Sequence, residues 1–346
     1  MPQLVELLRS GNYVNGSWVK NFEIKFEEFT KSNHAIGVNS GTSAIHTALL
    51  ACGVSSGDEV IAPSHTFIAT INAILLTGAT PVLVDVDQYG LIDSTEVEKA
   101  ITKKTRAIIP VHLYGNVYET RNFTQYRDAG ICIIEDSSQA HGATYTDGIP
   151  IGAYSDMSGY SLYPGKNLGA IGESGVITTN DSNLAKHSRL IRNWGSPKKY
   201  EHDYFGLNYR MDEIQGLFLS HKILHLEDLN RRRMEIAKMY QESLEKHPIS
   251  FINTFLKGSV IHQFVISVEQ RSDLQQHLSS SGIDSLIHYP IPVHKQKFYV
   301  EKFGDTTMPI TELLTSKILS IPVHESLSES QISYVIEKIG EFYGKH

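Results

Sequence analysis

Lys166 stands in the run Ser161-Leu162-Tyr163-Pro164-Gly165-Lys166-Asn167-Leu168-Gly169-Ala170, thirty residues after Asp136. Asp136 ends the apolar stretch Ile131-Cys132-Ile133-Ile134-Glu135-Asp136. A lysine between a proline–glycine turn and a small-residue loop is poorly placed as a solvated charge, and Gly165 and Gly169 permit close backbone approach. A desolvated lysine has a depressed pKa and serves as a nucleophile or base. An aspartate at the end of a buried strand is the partner that a pyridine nitrogen needs. The two together meet the demands of pyridoxal 5'-phosphate (PLP): an amine to hold its aldehyde and an acid facing its ring nitrogen. Taken alone, Asp136 is equally a strand-end carboxylate capping the next turn. Glu135 beside it should point to the other face of the strand.

Other residues fit the same cofactor. Asn39-Ser40-Gly41-Thr42-Ser43 leads into a helix beginning near Ala44. Small polar residues at a helix start are either a plain N-cap or an anion site built from free N–H groups and hydroxyls. A 5'-phosphate would give Gly41, Thr42 and Ser43 the second role, with Ser161 as a further donor. Phe67 follows one strand and opens a helix, and is either core or a ring that stacks on pyridine. Gln139, three residues past Asp136, is placed to reach the phenolic oxygen.

Rival chemistries fail on spacing. Gly159 and Gly165-Lys166 resemble a P-loop, but five residues separate the glycines where four are required, and Asn167 replaces the needed Ser or Thr. Gly169, Gly172 and Gly175 are not spaced GxGxxG. The 16 histidines show no HExxH and no paired Cys/His spacing, so no metal site is expected.

The elements that must position these residues alternate along the chain. Strands are expected at Glu59–Ala62, Pro81–Val86, Thr105–Pro110, Ile131–Asp136 and Gly175–Thr179. Helices are expected at Ser43–Cys52, Phe67–Leu76, Val97–Ile101 and Phe123–Ala129. Continuous apolar strands separated by helices predict an α/β fold, with a mixed, mostly parallel sheet between helices. Ligands bind outside the carboxyl ends of such strands, where Asp136 lies. A long helical stretch from about Glu213 to Lys246 leads to a smaller C-terminal α/β domain with a strand at Val260–Val268, a helix at Arg271–Ser281 and a last helix near Ser328–Phe342. The expected division is 1–230 for the large domain and 231–346 for the small one.

Bulk properties set outer limits. A chain of 346 residues, 41% hydrophobic and 20% charged, has room for a large core. A net charge of −7 and the lack of a long basic run argue against nucleic acid. The triplet Arg231-Arg232-Arg233 reads as an exposed helix face. Cys52 and Cys132 read as buried, reduced thiols, which with the unremarkable N-terminus suits a cytoplasmic protein. No apolar run reaches the roughly 18 residues needed to span a bilayer.

Ordered blocks along nearly the whole chain resemble the DegT/DnrJ/EryC1 family of sugar aminotransferases, fold-type I PLP enzymes with an aspartate-aminotransferase-like fold. They are Gly41-Thr42-Ser43-Ala44, Pro63-Ser64-His65-Thr66-Phe67, Val111-His112-Leu113-Tyr114-Gly115, Glu135 through Gly142, Ser161 through Ala170, Gly206 through Met211 and His288-Tyr289-Pro290-Ile291-Pro292-Val293-His294. The resemblance implies Lys166 as the Schiff-base lysine and Asp136 as the pyridinium partner. It implies Gln139 on the phenolic oxygen, Phe67 on the ring, and Thr42 and Ser161 on the phosphate. Asn208 would reach the phosphate of a neighbouring subunit, which implies a homodimer with shared active sites. Arg210 would clamp the donor's α-carboxylate. Tyr289, His294, Asn193, Trp194 and Tyr200 are candidates for the sugar. Members of the family usually carry a longer arm ahead of the block matching Ser10-Gly11-Asn12, so that arm's part in dimer packing or substrate coverage is not carried over to this chain.

The implied activity is transamination, with glutamate as amino donor and a nucleotide-linked keto sugar as acceptor. The His288–His294 and Gly195–Tyr200 segments resemble members acting at C3 of dTDP-linked 3-keto-6-deoxyhexoses. The alternative is C4 chemistry on a UDP- or GDP-linked 4-keto sugar. Family dehydratases carry histidine at the lysine position, so Lys166 argues against dehydration. A non-catalytic regulator on the same fold would be favoured by loss of Lys166 or Asp136, and both are present.

Overall fold

The computed structural model describes residues 2–344. Seven strands form the larger sheet: β1 (His34–Val38), β2 (Glu59–Pro63), β3 (Thr80–Val84), β4 (Thr105–Ile108), β5 (Cys132–Asp136), β6 (Met157–Ser161) and β7 (Gly175–Thr179). Their order is β1-β7-β6-β5-β4-β2-β3. Strand β7 runs antiparallel to both neighbours, and the four pairs from β6 to β3 are parallel. The mixed, mostly parallel sheet is thus the one expected.

Both faces of this sheet are covered, which explains its continuous apolar runs. Ile45, Ala48 and Leu49 of the helix Gly41–Ala51 pack on Ile36, Ile134 and Ile177. On the other face, Phe22 and Phe26 of the helix Ser17–Thr30 pack with Ala35, Tyr160 and Val176. Neighbouring residues of one strand feed opposite cores, as the pleat requires. Glu213, at the start of the helix Glu213–Lys222, accepts the otherwise free N–H groups of Gly16, Trp18 and Val19 at 2.7–2.9 Å.

A smaller antiparallel sheet has the order β10-β9-β8, with β8 (Ser250–Phe251), β9 (Phe264–Ser267) and β10 (Ile318–Ile321). The helices Leu226–Leu244, Arg271–Ser280 and Glu329–Gly344 close a separate core with it, in which Tyr240, Phe264, Leu278 and Ile339 are fully buried. The first of these helices carries Leu226 in the large-sheet core and Ile236 in the small one, so residue 230 falls within it.

Some expectations change. The stretch from Glu213 is two helices joined through a 3-10 turn at Ile223–His225. Phe123–Ala129 belongs to a 3-10 segment, Thr120–Ala129. The strand expected from Val260 begins only at Phe264. Residues 260–262 bond instead to the turn beside β4: Val260 N–H donates to Gly115 O at 3.1 Å and His262 N–H to Tyr114 O at 3.0 Å. This approach needs Gly115, where a Cβ would lie 2.1 Å from Val260 O. Arg233 is not on an exposed face. It is buried, 3.0 Å from Glu325, and donates to His262 O and Val323 O. Cys52 is buried and Cys132 half-buried, and both are free thiols.

Candidate active site

The carboxyl ends of β2, β4, β5 and β6 open into a cleft of about 500 Å³. Asp136 ends β5 and is almost wholly buried. Its backbone is pinned on both sides: Asp136 N–H donates to Pro110 O at 2.9 Å, and His112 N–H donates to Asp136 O at 3.0 Å. Its side chain accepts from Thr70 Oγ1 at 2.8 Å and from Ser138 N–H at 3.2 Å. Glu135 points the opposite way, toward Tyr145, Ser155 and His112. Of these two neighbouring carboxylates, Asp136 is the one that lines the cleft.

Lys166 lines the same cleft from the loop after β6. Its N–H donates to Tyr163 O at 2.8 Å, closing the proline–glycine turn. The loop is tight: a Cβ at Gly169 would lie 2.2 Å from Pro164 O. Burial pushes the Lys166 amine down to about 8, and the Asp136 charge opposes that shift. An amine so placed holds both protonation states near neutral pH.

At the other end of the cleft, the helix Gly41–Ala51 points its N-terminus at the end of β6. A Cβ on Gly41 would lie 2.5 Å from Ser161 Cβ. Gly41, Thr42 and Ser161 all line the cleft. Ser43 does not: its N–H donates to the Ser40 side chain at 3.0 Å and its hydroxyl to Asn39 Oδ1 at 2.5 Å. Ser40 and Ser43 thus form the N-cap, Ser40, Gly41 and Thr42 line the cleft, and Ser43, expected on the phosphate, does not.

Phe67 is half-exposed in the cleft, not in the core, with its ring 5.3 Å from that of Tyr289. Gln139 has a fixed amide, because Oε1 accepts from Tyr114 N–H at 2.6 Å and Nε2 donates to Tyr289 Oη at 3.1 Å. Burial raises the Tyr289 phenol to about 12, so it stays a neutral group on the cleft wall.

The remaining sequence candidates lie elsewhere in this chain. His294 is fully buried and faces Glu312 at 3.1 Å, because Val293 N–H ties its segment to Ser64 O at 3.2 Å beneath the cleft. It is not a sugar contact here. Asn193, Asn208 and Arg210 sit on a ribbon stitched to Val38–Asn39. Arg210 Nε donates to Asn208 Oδ1 at 3.0 Å, and neither residue lines the cleft in this chain. Trp194 and Tyr200 point outward, Tyr200 with 84% exposure. Sequence reasoning missed Thr66, Thr70, His262, Gln263 and His288, all of which line the cleft. Thr66 and Thr70 are one helical turn apart at the end of β2, a readable signal. His262 carries none.

The chain's own groups fit PLP. A helix N-terminus abuts Ser161 with space that only glycine leaves, a lowered amine and a hydrogen-bonded carboxylate share one cleft, and an aromatic ring stands over it. Among the described residues, no group of His, Cys, Asp and Glu side chains is arranged to hold a metal.

Comparison with known proteins agrees. Residues 1–340 match the profile of the DegT/DnrJ/EryC1/StrS aminotransferase family. The dTDP-3-amino-3,4,6-trideoxy-alpha-D-glucose transaminase of Streptomyces venezuelae is 40% identical over 344 residues, covering 98% of this chain and 90% of that protein. The dTDP-3-amino-3,6-dideoxy-alpha-D-galactopyranose transaminase of Aneurinibacillus thermoaerophilus is 42% identical over 341 residues, 97% of this chain and 93% of that one. The crystal structure of S. venezuelae DesV in complex with a ketimine intermediate superposes with a TM-score of 0.94 at 39% identity, covering 98% of this chain and 92% of that chain. With that cleft, that sheet and a match over nearly its whole length, the chain belongs to the DegT/DnrJ/EryC1/StrS family of PLP-dependent aminotransferases.

Proposed function

We propose that this enzyme moves an amino group from glutamate to C3 of a dTDP-linked 3-keto-6-deoxyhexose. The observation that carries the reading is the sharing of one cleft by Lys166, whose amine is pushed down to about 8, and Asp136, whose carboxylate is held by Thr70 and Ser138. PLP, when bound, supplies the electron sink that lets an amino acid lose its α-proton. Lys166 removes that proton and returns one in the reverse half-reaction, a task suited to an amine poised near the working pH. Asp136 holds the ring nitrogen, and the N-terminus of the helix Gly41–Ala51 with Thr42 and Ser161 holds the phosphate. Both transaminases named above act on dTDP-linked 3-amino sugars, which favours C3 chemistry over a UDP- or GDP-linked 4-keto substrate.

The second part of the reading is a homodimer. Asn208 is exposed in one chain, next to the outward-facing Trp194, Tyr200, Tyr204 and Phe205. A second copy covering that surface would bring Asn208, and with it Arg210, Asn193 and Tyr200, to the partner's phosphate and substrate. Among the described residues no helix is long and apolar enough to cross a membrane, in keeping with a cytoplasmic enzyme.

The test is the PLP-loaded protein offered glutamate and a panel of nucleotide-linked keto sugars, with products read by mass. Visible absorbance should be lost on adding glutamate and return with the right sugar. Amination at C4 alone would replace the C3 assignment. Absorbance indifferent to every amino donor would point to a non-catalytic regulator.

A further inference from the structure

Behind the cleft wall runs a chain of amides with a single allowed polarity. Asn230 Nδ2 donates to His141 O at 2.8 Å. A backbone carbonyl only accepts, so Asn230 must turn Oδ1 the other way, where it accepts from Asn167 Nδ2 at 2.8 Å. Asn167 Nδ2 also donates to Ile261 O at 3.1 Å, a second carbonyl that fixes the orientation independently. Asn167 Oδ1 therefore faces His262 Nδ1, at 3.1 Å. An amide oxygen cannot donate, so Nδ1 must carry the proton. Two carbonyls thus dictate the tautomer of an imidazole to which neither is hydrogen-bonded.

The His262 ring is also fixed in place and in charge. The backbone N–H of His262 donates to Tyr114 O at 3.0 Å, and its backbone carbonyl accepts from Arg233 at 3.1 Å. Burial keeps the imidazole neutral, with the charges of Lys166 and Arg233 acting in the same direction and the nearby His141 and His288 adding to it. Its Nε2 is bonded to no group among the described residues and is not sealed from solvent, and the residue lines the cleft beside Gln263 and Lys166. The mechanism above gives it no task.

We propose that His262 Nε2 is a fixed hydrogen-bond acceptor for one hydroxyl of the bound sugar, with Asn167 and Asn230 as the positioning residues that hold its lone pair toward the cleft. A neutral imidazole locked as Nδ1–H offers one acceptor and no donor on that edge. It selects a substrate that presents O–H at this point and penalises one that lacks it, because such a substrate would shut the acceptor off from water and leave it unpaired. The inference rests on the keto-sugar reading, and its test separates the two.

His262→Phe keeps a ring of similar width without the acceptor. It should lower kcat/KM of the sugar half-reaction by about tenfold and leave the glutamate half-reaction unchanged. Analogues of a dTDP-linked 3-keto-6-deoxyhexose with one hydroxyl replaced by fluorine identify the group. For one of them the wild-type loss should match that of His262→Phe, and the variant should lose nothing more. Equal slowing of both half-reactions would mean that the imidazole serves Lys166, and no slowing would mean that it serves neither; either overturns the proposal. Nitrogen NMR of histidine-labelled, cofactor-free wild type needs no variant: it should show Nδ1 protonated and Nε2 bare, and the opposite tautomer would refute the network. A wild type inert toward every keto sugar would instead bring down the substrate reading, and this inference with it.

Discussion

Thr70 Oγ1 lies 2.8 Å from Asp136 Oδ2, and Thr66 Oγ1 lies 2.9 Å from Thr70 Oγ1. Since Thr70 donates to the carboxylate, its own oxygen accepts from Thr66, and the pair forms a one-way relay ending on Asp136. Thr70→Val removes a hydrogen bond to a charged group, worth about 2 kcal/mol. Transamination should fall roughly thirtyfold with the melting temperature little changed. A rate within twofold of wild type would detach the threonine from the chemistry. Asp136→Asn should be far more damaging, with secondary structure by circular dichroism intact.

Lys166→Ala should abolish turnover. In the cofactor-free protein, Lys166→Met should raise stability at neutral pH. The folded-state pKa is lowered to about 8 from an unfolded value of 10.5. The native state therefore gives up its proton first, and wild-type stability rises between pH 8 and 10.5 as the unfolded chain still holds one. Below pH 8 the methionine variant keeps its full advantage, on the order of 3 kcal/mol, and above pH 10.5 it has none. Denaturant melts at pH 7 and pH 10.5 check this; a difference that grows with pH would contradict the sign.

Gly41→Ala places a methyl 2.5 Å from Ser161 Cβ and 2.9 Å from its Cα. Backbone must yield, at about 1–3 kcal/mol, and the helix N-terminus moves off the end of β6. PLP affinity, measured by titrating the cofactor-free protein, should weaken by about tenfold or more. Unchanged affinity would place the phosphate elsewhere.

Arg233→Ala leaves Glu325 without its partner and the carbonyls of His262 and Val323 without a donor. Breaking a largely buried pair in this way should destabilise the protein by about 3 kcal/mol. The same change at Arg231, which is exposed and among the described residues pairs with Asp228 alone, one turn away, should be near neutral. Thermal melts of the two variants make the comparison.

What the sequence disclosed depends on where side chains do the work. Strand β5 is a run of aliphatic residues and was legible as a strand with Asp136 at its end. Strand β6, Met-Ser-Gly-Tyr-Ser, was not, because its small residues answer to a neighbour: a Cβ at Gly159 would lie 2.6 Å from Ile45 Cδ1 on the packed helix. The arginine triplet misled because a helix turns about 100° per residue, so Arg231 and Arg233 look in nearly opposite directions. The site residues that were legible lie within a few positions of a strand end: Asp136, Gln139, Ser161, Lys166 and Phe67. His262 reaches the same cleft through backbone bonds to Tyr114 and Gly115, a pairing without a local sequence pattern. Asn208, Arg210, Asn193 and Tyr200 rest on the family resemblance, since in one chain none of them lines the cleft.

The stitching of residues 260–262 to Tyr114–Gly115 has a consequence for how the cleft wall tolerates change. His262 and Gln263 are set there by main-chain bonds, so the path of this stretch of wall is written in backbone and not in the side chains it displays. Exchanging those side chains would alter what the wall offers a guest while leaving its course in place.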